Sequence, residues 1–105
     1  MVIPLRVTFE YAPTAISYDP KEKQIYWTDD YGNIYRSFLN NGTQEAVVRG
    51  LSSPMGIDVD VIGRNVYFAD SNDNNIRVAS LDGSYQAVLV DVQSPQSIVL
   101  DSVDG

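Results

Sequence analysis

A 41-residue repeat constrains the fold of this chain more than any other feature. Pro13, Pro54 and Pro95 stand 41 residues apart, and Ile16, Ile57 and Ile98 keep the same interval. Ile25-Tyr26-Trp27-Thr28-Asp29 returns after 41 residues as Val66-Tyr67-Phe68-Ala69-Asp70. Asn33-Ile34 returns as Asn75-Ile76 and Leu39 as Leu81, both after 42, which places one inserted residue near Asn72. Gly42 and Gly83 bring the interval back to 41. In a repeat architecture each copy is one supersecondary unit, and it buries its apolar faces only against its neighbours.

Each period reads as four short strands. The first covers residues 15–18 and 56–60, and the second, rich in aromatics, covers 24–28 and 65–69. The third covers 34–39 and 76–81, and the fourth 45–48 and 86–90. Asn-Asn-Gly at 40–42 and Asp-Gly at 82–83 separate the last two strands, and these residues tolerate the positive φ of a hairpin turn. No segment of useful length has a helical period. Four strands per repeat is the pattern of β-propeller blades. With strands lettered A to D from the centre outward, the chain reads as a strand D at 5–9, a blade over 11–50, a blade over 52–91 and a strand A at 96–101. A plain antiparallel meander and a solenoid are the rival folds. The split blade favours the propeller, because an offset between chain start and blade start staples such a ring shut.

Composition removes most function classes. Fourteen acids against seven bases give a net charge of −7, which repels nucleic-acid phosphates and anionic lipid alike. No apolar run approaches the ~20 residues of a membrane span, and residues 1–8 lack the apolar stretch of a signal peptide. Cys and His are both absent, so disulfides, thiolate metal sites, the usual zinc ligands and His-based catalytic triads are excluded. No cofactor or metal site is expected.

Tyr26-Trp27-Thr28-Asp29 closely resembles the signature of YWTD propellers, the class B repeats of the low-density lipoprotein receptor family. Pro54-x-Gly56-Ile57-x-Val59-Asp60 resembles the innermost strand of that family, and Asn75-Ile76-x-Val78-Ala79-x-Leu81-Asp82-Gly83 its third strand and turn. The likeness spans nearly the whole chain. It departs at Ala15, where Gly is usual, and in the second motif, Tyr67-Phe68-Ala69-Asp70. The resemblance implies a six-bladed ring. It also implies an extracellular or cell-surface module that engages protein or peptide ligands through one face.

Along the second strand Tyr26 and Thr28 point one way, Trp27 and Asp29 the other. Both directions meet a neighbouring blade in a propeller, so Trp27 is expected to be buried between blades. Asp29 and Asp70 end their strands, where a carboxylate can accept backbone N–H groups and tie blade to blade. Antiparallel strands alternate in direction, so the B–C and D–A loops share one face of the disc. That face holds Asp30, Tyr31, Leu51, Ser53, Met55, Asn72 and Asp73, an apolar and aromatic set in a polar rim suited to a protein or peptide. The opposite face, with Lys21 and Arg64, is expected to be dispensable for binding. It carries Asn41-Gly42-Thr43, an N-glycan acceptor sequence.

The favoured function is therefore non-enzymatic binding. The alternatives are a calcium-dependent, lactonase-like propeller hydrolase, with Asp58, Asp60 and Asp101 as candidate acids, and a small sugar-binding propeller. Two open blades leave apolar faces at both ends, which a soluble monomer rarely tolerates. Three copies supply six complete blades and can close by cyclic symmetry, so a homotrimer is favoured. In a trimer the strands at 5–9 and 96–101 would be swapped between copies or displaced. The alternative is a fragment of a larger receptor, which should aggregate or stay partly unfolded.

Overall fold

β-branched and aromatic residues fill the strand positions, and Asn, Asp, Gly and Pro fill the turns between them. In a computed structural model describing residues 13–40, 42–71 and 73–91, this pattern produces two four-stranded sheets. The first contains β1 (Pro13–Asp19), β2 (Gln24–Asp29), β3 (Ile34–Phe38) and β4 (Gln44–Val48). The second contains β5 (Pro54–Asp60), β6 (Asn65–Asp70), β7 (Asn75–Ser80) and β8 (Gln86–Asp91). Each is an antiparallel meander in chain order. They are two propeller blades. The strands proposed at 5–9 and 96–101, together with Asn41 and Asn72, lie outside the described residues.

The two blades share one register, including its irregularities. Pro13 pairs with Asp29 and Ala15 with Thr28, which leaves Thr14 as an extra residue; Met55 is the extra residue at the same place in the second blade. Ile34 pairs with Val48 and Tyr35 with Ala46, so Val47 is a second bulge, matched by Leu89. These pairings correct one expectation. The offset between blades stays at 42 through β4 and β8, and is not restored to 41 at Gly42 and Gly83. The insertion shifts β7, and ladder pairing then carries the shift into β8. The two turns absorb it, with positive φ at Gly42 in one and Gly83 in the other.

The core lies between the blades. Tyr26, Ile34, Val47, Val48 and Leu51 of the first pack against Ile57, Val59, Val66, Phe68, Ala79 and Leu81 around the second. Burial of one large side chain is worth roughly 2–3 kcal/mol. Trp27 is also buried, on the face of its blade turned away from the second. There it packs with Ile25, Leu39 and Tyr35, whose ring centroid is 5.8 Å away. The strand alternation read from the sequence holds, and within the described pair of blades Tyr26 and Phe68 fill the junction.

Polar contacts fix how the blades meet. Thr14 Oγ1 donates to the Pro54 carbonyl at 3.0 Å, and Ser17 Oγ accepts from the Val59 amide at 3.1 Å. Arg36 Nη1 donates to the Leu81 carbonyl at 2.8 Å. Arg64 Nη2 and Nη1 donate to the two carboxylate oxygens of fully buried Asp19 at 2.8 and 3.1 Å. Arg64 is thus a structural residue that ties the second blade to the first. Gly83 (φ +80°) rests on β4, where a Cβ would overlap the Val47 carbonyl.

Candidate functional site

The B–C and D–A loops are built around two carboxylates. Asp29 ends β2, and its Oδ1 accepts from the amides of Tyr31 at 2.9 Å and Asn33 at 3.1 Å. The Asp29 amide donates to the Asn33 carbonyl at 3.1 Å, closing the loop. Gly32 (φ +82°) sits at its tip, and its carbonyl accepts from the Leu51 amide at 2.9 Å. A Cβ at Gly32 would strike the Leu51 carbonyl, so only glycine lets these two loops approach.

Asp70 acts differently from Asp29. Its Oδ2 accepts from the Ser52 amide at 3.0 Å and its Oδ1 from the Ser53 amide at 2.8 Å. This carboxylate, fully buried, ties the second blade to the connection that leads in from the first. Ser71 donates to the Ser53 carbonyl through its amide at 3.0 Å and its hydroxyl at 3.3 Å. Ser52 Oγ donates to Asp73 Oδ1 at 3.0 Å. Both loops are therefore held by hydrogen bonds from several sides.

The surface they present differs in part from the expected one. Asp30, Tyr31, Met55 and Asp73 are exposed, Tyr31 to 65%, and Ser53 is half-buried. Leu51 is not on the surface. It is 7% exposed and belongs to the core, because the Gly32 carbonyl holds its amide and turns the side chain inward. Ser52 is exposed in its place, and its spacing from Asp73 offers no signal in the sequence. Of the signature residues Tyr26, Trp27, Thr28, Asp29, Phe68 and Asp70 are buried, while Tyr67 is half-buried.

A chain in the crystal structure of a nidogen/laminin complex superposes with a TM-score of 0.70 over 73% of this chain, at 37% sequence identity. This chain belongs to the YWTD propeller family. The hydrazine synthase of Kuenenia stuttgartiensis also superposes, with a TM-score of 0.72 over 92% of this chain, and at 11% identity it shares the fold alone. The YWTD blades span 30% of the first of those chains and 28% of the second. No family model and no curated protein matches the sequence.

The opposite face of the YWTD blades holds Ile62 and Tyr85, both well exposed, which the sequence reading did not single out. Both occupy turn positions, where apolar residues have no neighbouring strand to cover them. Asp82 on that face has its carboxyl held down at about 2 by the Ser84 amide and hydroxyl and the Ser80 hydroxyl. Among the described residues no three Asp or Glu side chains of the YWTD blades gather as metal ligands would. No helix among them is long and apolar enough to cross a membrane.

Proposed function

We propose that these YWTD blades are a non-enzymatic binding module for a protein or peptide, engaged through the B–C and D–A face. One observation carries the reading. Tyr31 is exposed at the tip of a loop that Asp29 and Leu51 pin, so an aromatic anchor stands ready with little left to order on binding. Met55, Asp30, Ser52 and Asp73 supply the apolar and polar surround. The nidogen/laminin likeness supports the same reading, since that chain belongs to a complex of two proteins. The module works outside the cell or at its surface, without a cofactor, with Asn41 as a glycan acceptor. Its two blades form part of a six-bladed ring.

Immobilised laminin and nidogen are the first probes, read by surface plasmon resonance. Tyr31→Ala and Asp73→Ala should each weaken binding about tenfold or more, as central contacts do, and Lys21→Ala should leave it unchanged. Equal losses from both faces would refute the assignment of the face. Calcium-dependent ester or lactone hydrolysis would refute the class.

A further inference from the structure

The C–D loops of the two blades have one length and two ways of closing. Ser37 pairs with Gln44 and Ala79 with Gln86, so each loop spans six residues, 38–43 in the first blade and 80–85 in the second. The second loop is stapled by its own side chains. The Ser80 hydroxyl donates to Asp82 Oδ1 at 2.9 Å and accepts from the Tyr85 amide at 3.0 Å. Asp82 Oδ1 also accepts from the Ser84 amide at 2.9 Å. In the first loop Phe38 stands where the second has Ser80. A phenyl ring makes none of these bonds.

Phe38 is 39% exposed at the foot of its loop. Leu39 packs into the cluster of Ile25 and Trp27, whereas Phe38 joins neither of the two apolar clusters among the described residues. The Gly42 amide donates to the Phe38 carbonyl at 3.4 Å, with Gly42 at φ +71°, and this draws the two ends of the loop together. Asn40 and Thr43 are exposed on either side of Asn41, which itself lies outside the described residues. The loop therefore reads as an aromatic, two residues, then Asn-Gly-Thr. The ring stands at one foot of the loop and the threonine of the acceptor sequence at the other.

Resting on the reading of Asn41 as a glycan acceptor, we propose that Phe38 is a docking plate for the first sugar, the N-acetylglucosamine linked to Asn41. The linkage forms when the Asn41 amide nitrogen attacks the anomeric carbon of a lipid-pyrophosphate oligosaccharide. A C–N bond replaces the C–O bond to the pyrophosphate, which leaves with the electron pair, and the amide proton passes to the transferase. One face of this sugar presents a row of slightly positive C–H groups, and the face of a phenyl ring is slightly negative. Stacking the two buries apolar surface on both and closes the loop through the sugar, where the second loop uses the Ser80 hydroxyl. The second loop has neither an acceptor asparagine nor an aromatic at this position. Ring and acceptor go together in one loop, and the serine staple stands in the other.

The test is the full chain made through the secretory pathway of animal cells held at the high-mannose stage, with occupancy of Asn41 read by mass. Endoglycosidase H trims one sample to a single sugar, and peptide N-glycosidase strips another completely. The one-sugar chain should melt with the full glycoprotein, about 4 °C above the stripped chain. In Phe38→Ser, which takes the residue found in the second loop, that difference should vanish, and in Phe38→Trp it should persist. In the unmodified one-sugar chain the Phe38 ring should move the C–H proton signals of the sugar upfield in NMR spectra, a readout independent of stability. If Phe38→Ser does not fold, those proton signals decide alone. A chain with Asn41 bare would overturn both the glycan reading and the stack. A glycan without the upfield shift, or a melting difference unchanged in Phe38→Ser, would leave the acceptor reading standing and refute the stack.

Discussion

Leu51 and Tyr31 lie on adjoining loops, and each could serve as an apolar anchor. The backbone separates them: the Gly32 carbonyl takes the Leu51 amide, Leu51 turns into the core, and Tyr31 stays outside at the tip. No periodicity in the sequence carries that distinction, because both residues sit in loops where neither two-fold nor 3.6-fold patterning applies. Trp27 is the contrary case, since its place in an alternating strand made its burial legible. Replacing Trp27 with Ala should cost about 3–5 kcal/mol, the usual penalty for deleting a large core aromatic. Trp27 is the single tryptophan, so the loss is read from the urea midpoint by circular dichroism. A midpoint close to that of the unmodified chain would show that the cluster with Tyr35 and Leu39 carries little of the stability.

At the scale of strands and turns, the four-strand unit and its order were legible because turn residues and aromatic strands recur together. The persistence of the 42-residue offset was not, because two glycines one position out of register look like a restored period. Only ladder pairing shows that Gly83 occupies an earlier place in its turn than Gly42. The Asp19–Arg64 link was equally hidden, since the partners are 45 residues apart and meet only when the blades stack. It makes acid stability testable. Burial raises the Asp19 carboxyl, but the Arg64 guanidinium and the Lys21 and Glu22 amides outweigh it and hold the group below its ordinary 3.8. A lowered carboxyl contributes its full stability above the unfolded value and loses it as pH falls through the lower, folded one. The chain should therefore weaken as the solution is acidified below about pH 3.8, and Asp19→Asn should flatten that part of the profile. At neutral pH the same change should cost about 2–3 kcal/mol, the worth of hydrogen bonds to a charged group. An unaltered acid profile in thermal melts of Asp19→Asn would assign the acid sensitivity elsewhere.

At the scale of the whole molecule, the described residues stack as two similar sheets, and such a stack has a rim. β4 and β8 form the outer edges of their sheets, and an uncovered edge with free N–H and C=O groups is a template for further strands. β8, with the sequence Gln-Ala-Val-Leu-Val-Asp, has the β-branched, apolar character of segments that form fibrils. The bulges at Val47 and Leu89 interrupt both edges at the same place, twisting the strand and breaking the even spacing of groups that an incoming chain would read. Deleting Leu89 should leave a regular edge, and the chain should then form thioflavin-positive fibrils at concentrations where the unmodified protein stays in solution. A deletion variant that remains as soluble as its parent would show that the rim is protected by something else. One extra residue per blade would thus let a repeat protein grow along its stacking direction while being barred from growing sideways into amyloid.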